Sequence, residues 1–135
     1  PSSEETKQSY KDASGNYRSA ENIHMDGMGV LAFVNTKVPP QIRDVLSRNQ
    51  MTLDDIDLFV FHQASNLALD SLTRLLGIDS AKVFRNLEKI GNTVSASIPI
   101  ALKQASELGR LQQGDVVLLS GFGVGLSWAT AIVKY

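Results

Sequence analysis

The sequence predicts an α/β fold, with helices layered on a mostly parallel sheet whose last strand runs antiparallel. Three observations predict it. Two short apolar runs, Leu58-Phe59-Val60-Phe61 and Val116-Val117-Leu118-Leu119, have the pattern of strands buried on both faces. Stretches with apolar residues at steps of three and four alternate with them, the order of parallel strand–helix–strand units. A glycine-rich turn, Gly121-Phe122-Gly123-Val124-Gly125, directly precedes the final apolar segment and makes the last pair a tight reversal.

Residues 1–24 are polar, rich in Ser, Glu, Asn and Lys, and read as an arm or a surface excursion. The domain proper runs over 25–135. Leu31, Val34, Val38, Ile42, Val45 and Leu46 form a helical stripe between about 28 and 49. Pro39-Pro40 inside it predicts a kink or two abutting helices. Leu53-Asp54-Asp55-Ile56-Asp57 is a turn into the first apolar strand. A helix follows over about 66–76. Ala68, Leu72, Leu75 and Leu76 are its core face, and Gly77 suits its C′ position. Lys82-Val83-Phe84 reads as a brief strand. Val94, Ile98, Ala101, Leu102, Ala105 and Leu108 mark the next helix, ended by Gly109. Leu126 to Tyr135 form the last strand. Phe122, Leu126, Trp128, Met25 and Met28 read as core.

Composition narrows the function. The chain has 135 residues, 43% hydrophobic and 20% charged, enough for one domain with a real core. A net charge of −1 gives no attraction to nucleic acid or to an anionic membrane. No apolar run approaches the roughly 20 residues of a membrane span. The polar start, without Met, reads as a processed or truncated terminus rather than a signal peptide. There is no cysteine, which excludes disulfides and thiolate metal sites. With only His24 and His62, an all-histidine metal site is also implausible, and no cofactor is expected.

The chemistry gathers in the loops that end the strands, where ligands bind in open α/β sheets. His62 stands in Phe61-His62-Gln63-Ala64-Ser65-Asn66, at a strand-to-helix junction. Asn92 stands in Gly91-Asn92-Thr93-Val94-Ser95-Ala96-Ser97-Ile98-Pro99, at the next junction. One helix, one strand and two turns separate them, so an imidazole and a carboxamide reach one pocket. Both donate hydrogen bonds while neutral, which suits a developing oxyanion. Alone, His62 would read as a satisfied core or capping histidine, and Asn92 as a turn residue or helix cap. Gly-x-Gly is not a dinucleotide fingerprint here, because a strand rather than a helix follows it.

These motifs, in this order from about residue 22 to residue 135, resemble the β-ketoacyl-acyl-carrier-protein synthase III family of thiolase-fold condensing enzymes. Met25-Asp26-Gly27 is similar to the segment before the family's second-half helix. The resemblance implies a carboxyl-terminal thiolase-like half. It makes His62, in the HQA tripeptide, the family's catalytic histidine, and Asn92, in the GNT-x-x-x-S-x-P run, its catalytic asparagine. It puts Val124, with Gly123 beside it, at the backbone oxyanion position of the FGxG turn. It puts Phe122 at the wall of the thioester tunnel and Ser65 at a substrate-binding position. The implied partners are an acyl thioester, linked to coenzyme A or a carrier protein, and malonyl-carrier protein. The implied reaction is decarboxylative condensation in fatty acid biosynthesis, in the cytoplasm and in a homo-oligomer.

The chain departs from the family in four places. The family's nucleophilic cysteine lies in an amino-terminal half; the present length is about half of such an enzyme, so the chain reads as a fragment or separately made half. Ser65 stands where Asn is common, Leu67 where a basic carrier-binding residue is common, and Val124 where glycine is common. Arg74, Lys82, Arg85 and Lys89 are the remaining candidates for the carrier's charge. The departures keep two alternatives in view: a condensing enzyme of specialised metabolism, and a non-catalytic thiolase-like domain.

Overall fold

The computed structural model describes residues 2–22 and 25–135. His24 lies outside the described residues. The amino-terminal segment forms a one-turn helix α1 (Glu4–Lys7) and a two-residue ladder between β1 (Tyr10–Lys11) and β2 (Tyr17–Arg18). Its strand residues are exposed, and Ser3 caps α1 by accepting from Thr6 N–H.

Asp26 starts α2 (Gly27–Arg48) by accepting from Gly29 N–H at 2.9 Å. Both prolines lie inside this one helix, so the expected option of two abutting helices does not form. The physical reason is the stripe that crosses them. Phe33, Val34, Val38, Ile42 and Leu46 are buried on one face. A proline in a helix costs ~3 kcal/mol or more. Each buried large side chain contributes ~1.5–3 kcal/mol, and splitting the helix would turn several of them away.

The principal sheet has the order β3-β4-β5. β3 (Leu58–Phe61) pairs parallel with β4 (Val116–Gly123), Leu58 opposite Val117 and Phe61 opposite Ser120. β4 pairs antiparallel with β5 (Ser127–Lys134), closing with Gly123 opposite Ser127. The expected strand at Lys82-Val83-Phe84 shrinks to a single parallel bridge, Phe59 to Val83. Residues Ser80–Lys82 before it are wound into a 3-10 turn capped by Asp79. Too few extended residues remain there to propagate a ladder.

The alternation of side chains along β3 builds two cores. Phe59 and Phe61 pack with Val34, Val38, Ile42, Leu69 and Leu72 of α2 and α3 (Asn66–Leu76). Leu58 and Val60 pack on the other side with Ala101 and Ala105 of α5 (Ser97–Glu107). The result is three layers, which is why β3 is buried throughout. α3 starts at its Ser65 cap and ends on Gly77 in the left-handed conformation, as expected. A short helix α4 (Leu87–Ile90) was not legible in the sequence. Among the described residues no helix is long and apolar enough to cross a membrane.

Several expected core residues are at the surface. Met25, Met28, Leu75, Val94, Leu108 and Leu126 are exposed. Trp128 is partly exposed, with its ring edge-on to Phe33 at 5.3 Å. β5 carries the edge of the sheet, and Ala129, Ala131 and Val133 on it are exposed. Replacing Phe59 by Ala lowers stability by ~3–5 kcal/mol, since its ring has no exposed surface. Replacing Val133 by Ala costs less than ~1 kcal/mol. Urea unfolding of both variants checks the contrast between the covered strand and the open one.

Candidate active site

His62 is the first residue past β3. Its N–H donates to Ser120 O at 2.9 Å, so the parallel ladder continues one step into the loop and fixes the histidine's backbone. The imidazole is half-buried. Phe122 of β4 stands edge-on to it, with ring centres 5.5 Å apart. Nδ1 lies 2.6 Å from Ser97 Oγ at the start of α5. Nε2 has no partner among the described residues. Burial pushes the imidazole below its ordinary value of 6.5, so the ring is neutral near pH 7.

Gln63, the next residue, is wholly buried and holds the loop to its neighbour. Its Nε2 donates to Phe61 O at 2.9 Å and to Phe84 O at 3.3 Å, and its Oε1 accepts from Asn86 N–H at 3.1 Å. The side chain thus ties the end of β3 to the segment that leads to Asn92. Sequence reasoning gave Gln63 no role; a polar residue directly after an apolar strand was the available signal.

Asn92 comes into place through its glycine. Gly91 has φ 67° and ψ −167°, a conformation open essentially to glycine alone. The Asn92 carboxamide then accepts from Val94 N–H through Oδ1 at 2.9 Å, which orients it. Val94 itself has φ 54°, a strained conformation for a β-branched residue. Asn92 Nδ2 donates to Ala64 O at 3.4 Å, a long contact, and Ala64 N–H donates to His62 O at 2.9 Å. The run from 92 to 97 therefore touches the run from 62 to 64 twice, at Asn92–Ala64 and at Ser97–His62.

The other sequence candidates are dispersed. Phe122 is buried beside His62. Gly123 ends β4, and Val124 projects from the turn at 95% exposure. Val124 O accepts from Ser127 Oγ at 2.8 Å. Gly125 allows the turn to close, because a Cβ there would stand 2.9 Å from Ser127 N. Ser65 is occupied as the cap of α3, accepting from Ala68 N–H at 3.2 Å. Of the cations, Lys82 donates to Ile56 O and Asp54 O, and Arg85 pairs with Asp70 at 2.5 Å. A cleft of about 420 Å³ opens between α3, α4 and α5, lined by Asn66, Asp70, Arg85, Asn86, Lys89 and Gln104; His62 and Asn92 do not line it.

The fold has its counterpart in known proteins. The family model for the carboxyl-terminal part of 3-oxoacyl-[acyl-carrier-protein] synthase III matches residues 46–135. The chain belongs to this family. The β-ketoacyl-[acyl-carrier-protein] synthase III of Synechocystis is 42% identical over 123 residues, 91% of this chain and 36% of that protein. That of Rhodopirellula baltica is 41% identical over 90% of this chain and 35% of that protein. A crystal structure of a 3-oxoacyl-(acyl-carrier-protein) synthase III superposes with a TM-score of 0.96 at 38% identity, covering all of this chain and 40% of that one. The Thermus thermophilus synthase superposes with a TM-score of 0.82 at 34% identity, over 96% of this chain and 42% of that one. The expected thiolase-like α/β fold is the fold of these synthases. The chain spans little more than a third of the curated relatives' length, less than the half expected from the sequence.

The burial of His62 gives a pH signature. Above 6.5 the imidazole is neutral in both the folded and the unfolded chain. As pH falls through 6.5, the unfolded chain takes up a proton that the native site resists. Stability therefore drops as pH falls from 6.5 through the lower native value. Urea unfolding between pH 8 and 5 gives a smaller loss for His62→Gln than for the parent chain; the comparison isolates His62 from the other histidine.

Proposed function

We propose that this chain provides the decarboxylation donors of a β-ketoacyl-carrier-protein synthase III, which condenses an acyl thioester primer with malonyl-carrier protein in fatty acid biosynthesis. The observation that carries this reading is the double tie between the HQA and GNT runs, which brings a neutral imidazole and an oriented carboxamide to one loop cluster. The identity with named synthases supports it.

In this reading the malonyl thioester breaks its bond to the carboxylate carbon and releases carbon dioxide. The electron pair of that bond moves into an enolate, and negative charge collects on the thioester oxygen. His62 Nε2–H and Asn92 Nδ2–H donate to that oxygen. Neutral donors suit the step: a carboxylate would repel the enolate, and a charged imidazole would lose its proton to it. The carbanion then attacks the carbonyl of an acyl-cysteine, and the cysteine thiolate departs. This chain has no cysteine, so the nucleophile belongs to residues outside it. The Val124 N–H, in the turn after β4, is the backbone donor to the tetrahedral oxyanion of that second centre. The Phe122 ring forms the apolar wall between the two.

Two outcomes test the reading. The 135-residue chain alone, mixed with acyl thioester and malonyl-carrier protein, forms no β-ketoacyl product; clear turnover in a preparation free of contaminating synthase contradicts it. In a full-length enzyme carrying these residues, Asn92→Ala and His62→Ala each slow release of carbon dioxide by ~10²–10³ while acyl transfer to the nucleophile is largely kept. The double variant is less than additive, because both donors serve one oxygen. Radiolabelled primer and carbon dioxide release read the two half-reactions separately. Equal loss in both leaves Asn92 as a turn residue only.

A further inference from the structure

We propose that Ser97 is the positioning residue that decides which nitrogen of His62 carries the proton: its hydroxyl donates to Nδ1 and so leaves the hydrogen on Nε2. The inference rests on the proposed use of Nε2–H for its functional meaning, but its structural content stands apart from that reading.

Ser97 is 1% exposed, so its hydroxyl hydrogen has no water to bond. Among the described residues the only side-chain hydrogen bond of Ser97 Oγ is the 2.6 Å contact with His62 Nδ1. If Nδ1 carried the proton, it would donate to Oγ, and the serine hydrogen would be left buried without an acceptor. An unpaired buried polar group is the costlier arrangement. With the hydrogen on Nε2, the Nδ1 lone pair accepts the serine hydroxyl, and the buried contact between them leaves neither partner unpaired. The same accounting opposes the doubly protonated ring, whose Nδ1–H would again orphan the serine hydrogen. Ser97 and burial therefore act in one direction.

Among the described residues no charged side chain bonds to the His62–Ser97 pair. Phe122 from β4, Ser97 from α5, Ala64 from the HQA loop and Asn92 from the GNT loop are all neutral neighbours. The position of Ser97 is set by the helix start. It is the first residue of α5, where its N–H reaches back to Val94 O. Pro99 fits the same first turn, because its nitrogen needs no intrahelical partner there. The histidine is thus held by a hydroxyl on a rigid helix rather than by a loop group.

The test uses nitrogen-15 imidazole spectra of the labelled 135-residue chain. It has 2 histidines, so His62→Gln assigns the signals. The parent chain is expected to show the Nε2–H tautomer alone. In Ser97→Ala the two tautomers mix and the His62 pKa rises by about one unit, the worth of one lost neutral hydrogen bond. Ser97→Thr keeps the hydroxyl and restores the single tautomer. In a full-length enzyme with the same residues, Ser97→Ala moves the acid limb of carbon dioxide release upward by about one pH unit and slows release about tenfold at the old limb, with acyl transfer unchanged. An Nδ1–H tautomer in the parent chain overturns the inference, and this result needs no variant to fold. A Ser97→Ala spectrum identical to the parent overturns it too. A tautomer shift in Ser97→Ala with undisturbed decarboxylation supports the role of Ser97 in holding the proton and instead removes His62 from the proposed chemistry.

Discussion

The parallel pairing of β3 with β4 is the constraint on which the site depends. Asp57 closes one end of the ladder: its N–H donates to Val116 O, and its carboxylate accepts from Val116 N–H at 2.8 Å. His62 closes the other end through Ser120 O. Between these clamps every side chain of β3 is covered, by α2 and α3 on one face and α5 on the other. A one-residue slip would exchange the two faces and send Phe59 and Phe61 against the small residues of α5. The register that satisfies both cores also carries His62 to the strand end beside Phe122. The same packing places the start of α5, and with it Ser97, against the imidazole.

Neutrality is the electrostatic theme of the site. The imidazole is half-buried, has an aromatic neighbour and a hydroxyl partner, and among the described residues no charged side chain bonds to it. The carboxamide of Asn92 has its oxygen committed to Val94 N–H, while its nitrogen makes only the long contact to Ala64 O and keeps a second N–H to donate. Both groups are donors that gain from a developing negative charge without carrying charge beforehand. A protonated histidine would bind an anionic ground state as strongly as the transition state, and uniform binding of that kind does not accelerate the step. Two of the candidate cations are engaged elsewhere: Lys82 on backbone carbonyls, Arg85 on Asp70.

Much of this was legible in the sequence because its signals were strong ones. Continuous apolar runs marked β3 and β4, and a helical stripe ended by Gly77 marked α3. The glycine-rich turn fixed the antiparallel closing pair. What failed did so where tertiary packing outweighs a local rule. Pro39-Pro40 leaves a kink or two abutting helices open, and a stripe of buried residues on either side excludes the second by holding one helix. Lys82-Val83-Phe84 has strand composition, but the capped 3-10 turn before it leaves one bridge. Val94 and Leu108 fit the helical period of α5 and yet lie just outside it, exposed, Val94 in a 3-10 turn before it and Leu108 directly after it. At the candidate site, the motifs single out His62 and Asn92, and the structure sets their loops side by side. Gln63 and Ser97 could not be given roles, because hydrogen-bond partners far apart in sequence leave no periodic trace.

The claim at the centre of this reading is that His62 and Asn92 aim their nitrogens at one oxygen. The most direct measurement is a crystal structure of a full-length enzyme carrying these residues, bound to a malonyl thioester analogue that cannot lose carbon dioxide. The prediction is that the oxygen standing in for the thioester carbonyl lies ~2.7–3.1 Å from both His62 Nε2 and Asn92 Nδ2. An oxygen bonded to only one of them, or held instead by the turn at Val124, would contradict it.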